Sequence, residues 1–135
     1  MLNKKYVNKL CKLMDKNNID GMMLGPSIDL NFLMEYSPQP DERFQSLFLL
    51  SNKRYFYISP EITYEEIRDR LDDNACIYQW GDHQEFSDIV VTAMNDFKLS
   101  GKRIGVNNGI VAINLIDIKE KIIHILSMAI TLWKC

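Results

Sequence analysis

The chain has 135 residues, 47% of them hydrophobic and 25% charged, with a formal net charge of −2. That length and balance describe one globular domain able to bury its own core, and the slight acidity gives no electrostatic reason to expect nucleic acid or an anionic membrane as partner. Cys11, Cys76 and Cys135 are odd in number, far apart and form no C-x-x-C pairing, which suggests neither a disulfide framework nor a zinc site and fits reduced thiols in a cytoplasm.

The chain starts with a lysine- and asparagine-rich stretch in which Tyr6, Val7, Leu10, Cys11, Leu13 and Met14 recur every three to four residues. This spacing predicts an amphipathic helix over residues 3–16, stopped by Asn17-Asn18. It offers no apolar h-region for a signal peptide, and no uncharged run reaches the roughly 18 residues of a membrane span. The apolar run of residues 122–133 is too short and contains His124. Residues 19–25, "IDGMMLG", predict a short buried strand. Ser27 is placed to cap a short helix with Leu30, Leu33 and Met34 on its apolar face.

After the loop "SPQPDER", residues 44–50 and 54–59 flank Ser51-Asn52-Lys53 and predict an antiparallel hairpin. In residues 61–71 acids come early and arginines late, the order that suits a helix macrodipole. A strand is expected at 75–80, a loop at Gly81-Asp82-His83, a helix at 85–97, a strand at 102–106 and a turn at Asn107-Asn108-Gly109. Strands alternating with helices, interrupted by one hairpin, predict a single α/β domain: a mixed sheet of about five strands flanked by helices in three layers.

Chemistry-bearing clusters are few. Asp82, His83 and Glu85 are the one grouping with metal-ligand residue types, and their loose spacing reads as a solvated loop. "GVNNG" lacks the pattern of a dinucleotide or phosphate loop and reads as a turn. "GPS" at 25–27 offers an anion few amides because the proline removes one. No serine has a positioned base. Asp41-Glu42-Arg43 stands out. Structurally, Arg43 would pair an acid or lie over Phe44; functionally, its fork-shaped guanidinium would hold a carboxylate of a ligand or of a neighbouring subunit.

The stretches "NNIDGMMLGPSIDLNFLMEY", "DERFQSLFLLSNKRYFYISP" and "KRIGV", behind an amphipathic helix, give the chain a pattern that resembles the amino-terminal domain of the creatinase and prolidase superfamily, the pita-bread metallopeptidases that include Xaa-Pro dipeptidase and aminopeptidase P. Asp29 stands where the family has Asn, Phe32-Leu33 replace Tyr-Leu, Met34-Glu35 replace Thr-Gly, Tyr36 matches the aromatic, and Glu42-Arg43 match the Glu-Arg pair. The likeness runs from residue 1 to about 106 and implies a creatinase/prolidase N-terminal fold with a ribonuclease H-like motif.

The resemblance implies a domain without catalytic or metal residues of its own. In the family, a separate carboxy-terminal domain holds two divalent ions, manganese or cobalt, that activate water for cleavage at proline. This chain is therefore expected to support a cytoplasmic Xaa-Pro peptidase acting on short Xaa-Pro peptides. Its partners would be that catalytic domain, absent from these residues, and further subunits in a homo-oligomer such as a dimer. The loop containing Tyr36, Asp41, Glu42 and Arg43 would border substrate access or a subunit interface. The alternatives are a stand-alone interaction module of the same fold and a flavodoxin-like binder, which would show a polar pocket at the strand ends. The apolar tail of residues 110–135 either packs on structure beyond it or folds back as a final helix, and left uncovered it predicts self-association.

Overall fold

A computed structural model describes residues 1–122. The apolar run into Trp133, His124 and Cys135 therefore lie outside the described residues, apart from Ile122. Helix α1 (Lys4–Lys16) is capped by Asn3, whose side chain accepts from the Tyr6 amide, and buries Val7, Leu10, Cys11 and Met14. It ends where the Asn17 side-chain amide donates to the Leu13 carbonyl and Asn18 adopts φ 56°, the left-handed conformation that stops a helix.

Strand β1 (Gly21–Leu24) leads into α2 (Ile28–Met34), with Ser27 accepting from the Leu30 amide as its cap. Strands β2 (Ser46–Leu50) and β3 (Tyr55–Pro60) form the expected hairpin, with Lys53 at φ 74° in the turn. The expected strand over 44–50 starts later, at Ser46, where pairing with β3 begins, and the Phe44 carbonyl accepts from the Trp80 indole instead. The expected helix over 61–71 opens as a 3-10 turn (Glu61–Thr63) before α3 (Tyr64–Arg70). Thr63 supplies no side-chain cap there; its hydroxyl donates to the Pro60 carbonyl. Strand β4 (Cys76–Trp80), helix α4 (Phe86–Asp96) and strand β5 (Ile104–Val106) follow, and residues 112–122 form helix α5.

The strands form one sheet in the order β4-β3-β2-β1-β5. β2 runs antiparallel to both neighbours, while β3/β4 and β1/β5 are parallel. Both faces are covered, which explains why β2 reads as a continuous apolar run rather than an alternating one. Leu24, Leu47, Leu49 and Tyr57 face α1, α2 and α3. Met23, Phe48, Leu50, Phe56 and Ile58 face α4 and Ile118 of α5. Phe48 and Phe56 sit in register with ring centroids 4.6 Å apart, and Phe97 lies 4.6 Å from Phe56. These packed rings join the sheet's centre to the end of α4.

Candidate functional site

Four strands (β1, β3, β4 and β5) run in one direction and β2 runs opposite, so their carboxyl ends and the loop entering β2 share one rim of the sheet. Ligands of open α/β sheets bind outside such carboxyl ends. The loop of residues 36–43 crosses this rim and is tied at both ends, to different elements.

At its start, Glu35 adopts φ 59° as the C-cap of α2. This is the left-handed geometry a glycine would take most readily, so the departure from the family's Thr-Gly leaves the turn itself in place. The Tyr36 hydroxyl donates to Glu66 of α3, and Arg70 lies 4.6 Å over its ring. Partial burial and then the bond to Glu66 push the phenol up to about 12. One residue on, the Ser37 hydroxyl accepts from the Ser27 amide at 3.1 Å.

At the loop's end, the Asp41 carboxylate accepts from the Arg43 amide at 2.8 Å, a local turn-forming bond. The Arg43 guanidinium grips Asp82 as a fork, with Nε 3.1 Å and Nη2 3.3 Å from its two carboxylate oxygens. Asp41 lies 3.9 Å away on the other side. The hydrogen bond from Arg43 holds the Asp82 carboxyl below its usual range, and the same pairing raises Arg43. Both groups are open to water, so the pair orients the side chains more than it stabilises the fold. Glu42 is exposed.

Arg43, Pro60, Glu61, Ile62, Trp80, Gly81 and Asp82 line a shallow cleft of about 300 Å³ at this corner. Its floor is firm: the Trp80 indole N–H donates to the Phe44 carbonyl at 2.9 Å, and Phe44 stacks on Phe86 at 4.8 Å.

The structure thus separates the residues singled out in the sequence. Tyr36 bonds to α3, and Arg43 to the β4–α4 loop. The Asp82-His83-Glu85 grouping also disperses, because Asp82 faces Arg43 while Glu85 meets Lys121 of α5 at 2.9 Å. Among the described residues no three His, Cys, Asp or Glu side chains converge to hold an ion. They do not fit the pair of divalent metals that the family implies.

The opposite corner of the rim holds a hub at Asn107, in a stretch whose sequence predicts only a turn. The Asn107 side-chain oxygen accepts from the Gly25 and Gly109 amides, both at 3.0 Å. Its amide nitrogen donates to Ser27 Oγ at 2.9 Å and reaches Asp29 at 3.5 Å. Gly25 and Gly109 are pressed together so closely that a Cβ on Gly25 would lie 2.2 Å from the Gly109 carbonyl oxygen. The Gly25 amide, a candidate anion donor in the sequence, is already satisfied by Asn107. Two glycines flanking a strand end and an Asn-Asn-Gly run were the available signal, but neither names its partner.

The sequence model of the creatinase/prolidase N-terminal domain matches residues 7–123. The chain belongs to this family. Solved structures agree on the fold of this creatinase/prolidase N-terminal domain. A prolidase from Thermococcus sibiricus superposes with a TM-score of 0.76 at 19% identity, over 89% of this chain and 32% of that one. A dipeptidase from Pyrococcus horikoshii gives 0.74 at 19% identity, over 85% and 31%. The N-terminal domain of an X-Pro dipeptidase from Streptococcus pyogenes gives 0.75 at 9% identity, over 87% and 88%. The chain therefore spans about a third of the length of the Thermococcus and Pyrococcus chains, and nearly all of the streptococcal domain. Among curated proteins none matches. No helix among the described residues is long and apolar enough to cross a membrane.

Proposed function

We propose that this creatinase/prolidase N-terminal domain is the non-catalytic part of a cytoplasmic Xaa-Pro peptidase, whose water-activating pair of divalent metals is held by a separate catalytic domain. The observation that carries this reading is the family match over residues 7–123. The domain's part is mechanical: it shapes access for short Xaa-Pro peptides and supports subunit assembly. The loop of residues 36–43 suits such an edge, because Tyr36 on Glu66 and Arg43 on Asp82 anchor it to two elements. A tied loop presents a fixed wall to a neighbouring cleft without ordering cost on binding.

The test is hydrolysis of a Xaa-Pro dipeptide and of a longer Xaa-Pro peptide, with manganese or cobalt, by these 135 residues and by any longer protein that contains them. Turnover by the longer protein alone is the expected result. Turnover by these residues alone would overturn the proposal and direct attention to Asp82, His83 and Glu85. Within an active longer protein, Arg43→Ala should raise KM for the longer peptide or weaken assembly; an unchanged KM with unchanged assembly would remove Arg43 from the access edge.

A further inference from the structure

The helical layer formed by α1, α2 and α3 carries two opposite charge stripes. Lys5, Lys9, Lys12 and Lys16 follow at spacings of four, three and four residues, which aligns them on one face of α1, and Lys4 flanks the row. All five are exposed. With Asp15 as its one acid, α1 bears a formal +4 in a chain of net −2. Among the described residues ion pairs are formed by Arg43 and Lys121 alone, so none of the described residues neutralises this row.

Residues 61–73 carry the converse. Glu61, Glu65, Glu66, Asp69, Asp72 and Asp73 stand against Arg68 and Arg70, a formal −4. The two arginines are engaged elsewhere: Arg68 donates to the Ala75 and Asp72 carbonyls, and Arg70 covers the Tyr36 ring. Each stripe also contains an exposed apolar side chain. Leu13, 47% exposed, lies among Lys9, Lys12 and Lys16; Ile62, 71% exposed, lies beside Glu61, Glu65 and Glu66.

Both stripes are on the same side of the sheet. Val7, Leu10 and Met14 of α1 share one core with Ile67 and Leu71 at α3. The Met1 ammonium donates to the Arg70 carbonyl at 2.6 Å, so the start of α1 adjoins the end of α3. A flat polyanion laid on α1, whether nucleic acid or an anionic bilayer, would meet the acids of α3 on that same layer. A second copy related by a two-fold axis meets no such conflict. Its α3 faces this α1 and its α1 faces this α3, so both stripes are neutralised at once.

We infer that the α1–α3 layer is the face on which two copies of this chain dock, through lysine-to-acid pairing between α1 and the partner's α3. This names a surface for the assembly proposed above and rests on that reading only for the expectation of an assembly. Oligomeric state is read independently of peptide cleavage, so one idea can fail while the other stands.

Sedimentation equilibrium of the full chain at low and at high salt tests it, with far-UV circular dichroism to show that each variant is folded. The expected result is a dimer that dissociates as salt rises, since exposed pairing is screened. Lys9→Glu with Lys12→Glu, or Glu65→Lys with Asp69→Lys, should each weaken dimerisation at least about tenfold. Mixing the two variants should restore a one-to-one dimer. A monomer at every salt concentration, or a dimer indifferent to both reversals, would overturn the inference. So would wild-type chain that stays monomeric yet binds phosphatidylserine vesicles through Lys9 and Lys12.

Discussion

At the β1/β5 end of the rim a neutral, partly buried amide, Asn107, joins Gly25, Gly109 and Ser27; at the β3/β4 end an exposed ion pair, Arg43 with Asp82, spans the cleft. The two arrangements look equivalent as lists of hydrogen bonds, but they differ in what water can replace. Removing Asn107 leaves two amides pressed between glycines without their acceptor, whereas the Arg43 and Asp82 groups are already hydrated and lose little when parted. The β3/β4 corner is instead held by Trp80, whose buried ring packs near Phe86 and whose N–H fixes the Phe44 carbonyl. A conspicuous charged triplet can thus be energetically light while an inconspicuous asparagine carries the fold.

The comparison can be broken most forcefully at Gly25. Gly25→Ala would place a methyl against the Gly109 backbone, and backbone cannot swing aside as a flexible side chain would. A loss of about 3 kcal/mol in urea unfolding is expected, at the upper end of ordinary overpacking. If Gly25→Ala matched wild type, the tight approach would not be a constraint on this corner.

Next in size is Asn107→Ala, which removes the acceptor for two amides and the donor to Ser27 while adding no bulk. A destabilisation of about 2 kcal/mol is expected, and hydrogen exchange of the Gly25 and Gly109 amides should speed up more than that of the β2 amides. Equal acceleration everywhere would mean that the hub is not local.

The smallest effect is expected at Arg43. Arg43→Ala should leave the urea midpoint at neutral pH nearly unchanged. The sign of its pH dependence is fixed by Asp82, whose carboxyl is held below its ordinary 3.8 by Arg43. A depressed carboxyl contributes stability that is present above the unfolded value and lost as pH falls through the folded one. Any difference between wild type and Arg43→Ala should therefore appear above pH 3.8 and vanish in stronger acid. A gap that instead grew on acidification would assign Arg43 a partner other than Asp82.

Local pattern made much of the molecule readable. The three-to-four spacing of Val7, Leu10 and Met14 places α1, the serine before "IDLNFLM" places α2 with its cap, and Ser51-Asn52-Lys53 places the hairpin. The family likeness joined these elements into one fold, and the family match bears it out. The 3-10 opening of the 61–71 segment was not readable, because Thr63 bonds back to Pro60 instead of capping forward. For the loop, the sequence marked Tyr36 and Arg43 as notable without saying what they touch.

By itself the sequence determined which segments are helix or strand and which faces are apolar, since periodicity is set by neighbours a few residues apart. It also determined the family, through words spread over most of the chain. Only the tertiary structure decided that Arg43 closes on Asp82, 39 residues away, and that Asn107 serves Gly25, 82 residues away. Those partners follow from the strand order β4-β3-β2-β1-β5, which sets β1 beside β5 and the start of β2 near the end of β4. Side-chain pairs across such distances depend on where the whole sheet puts its ends, and no local spacing encodes that.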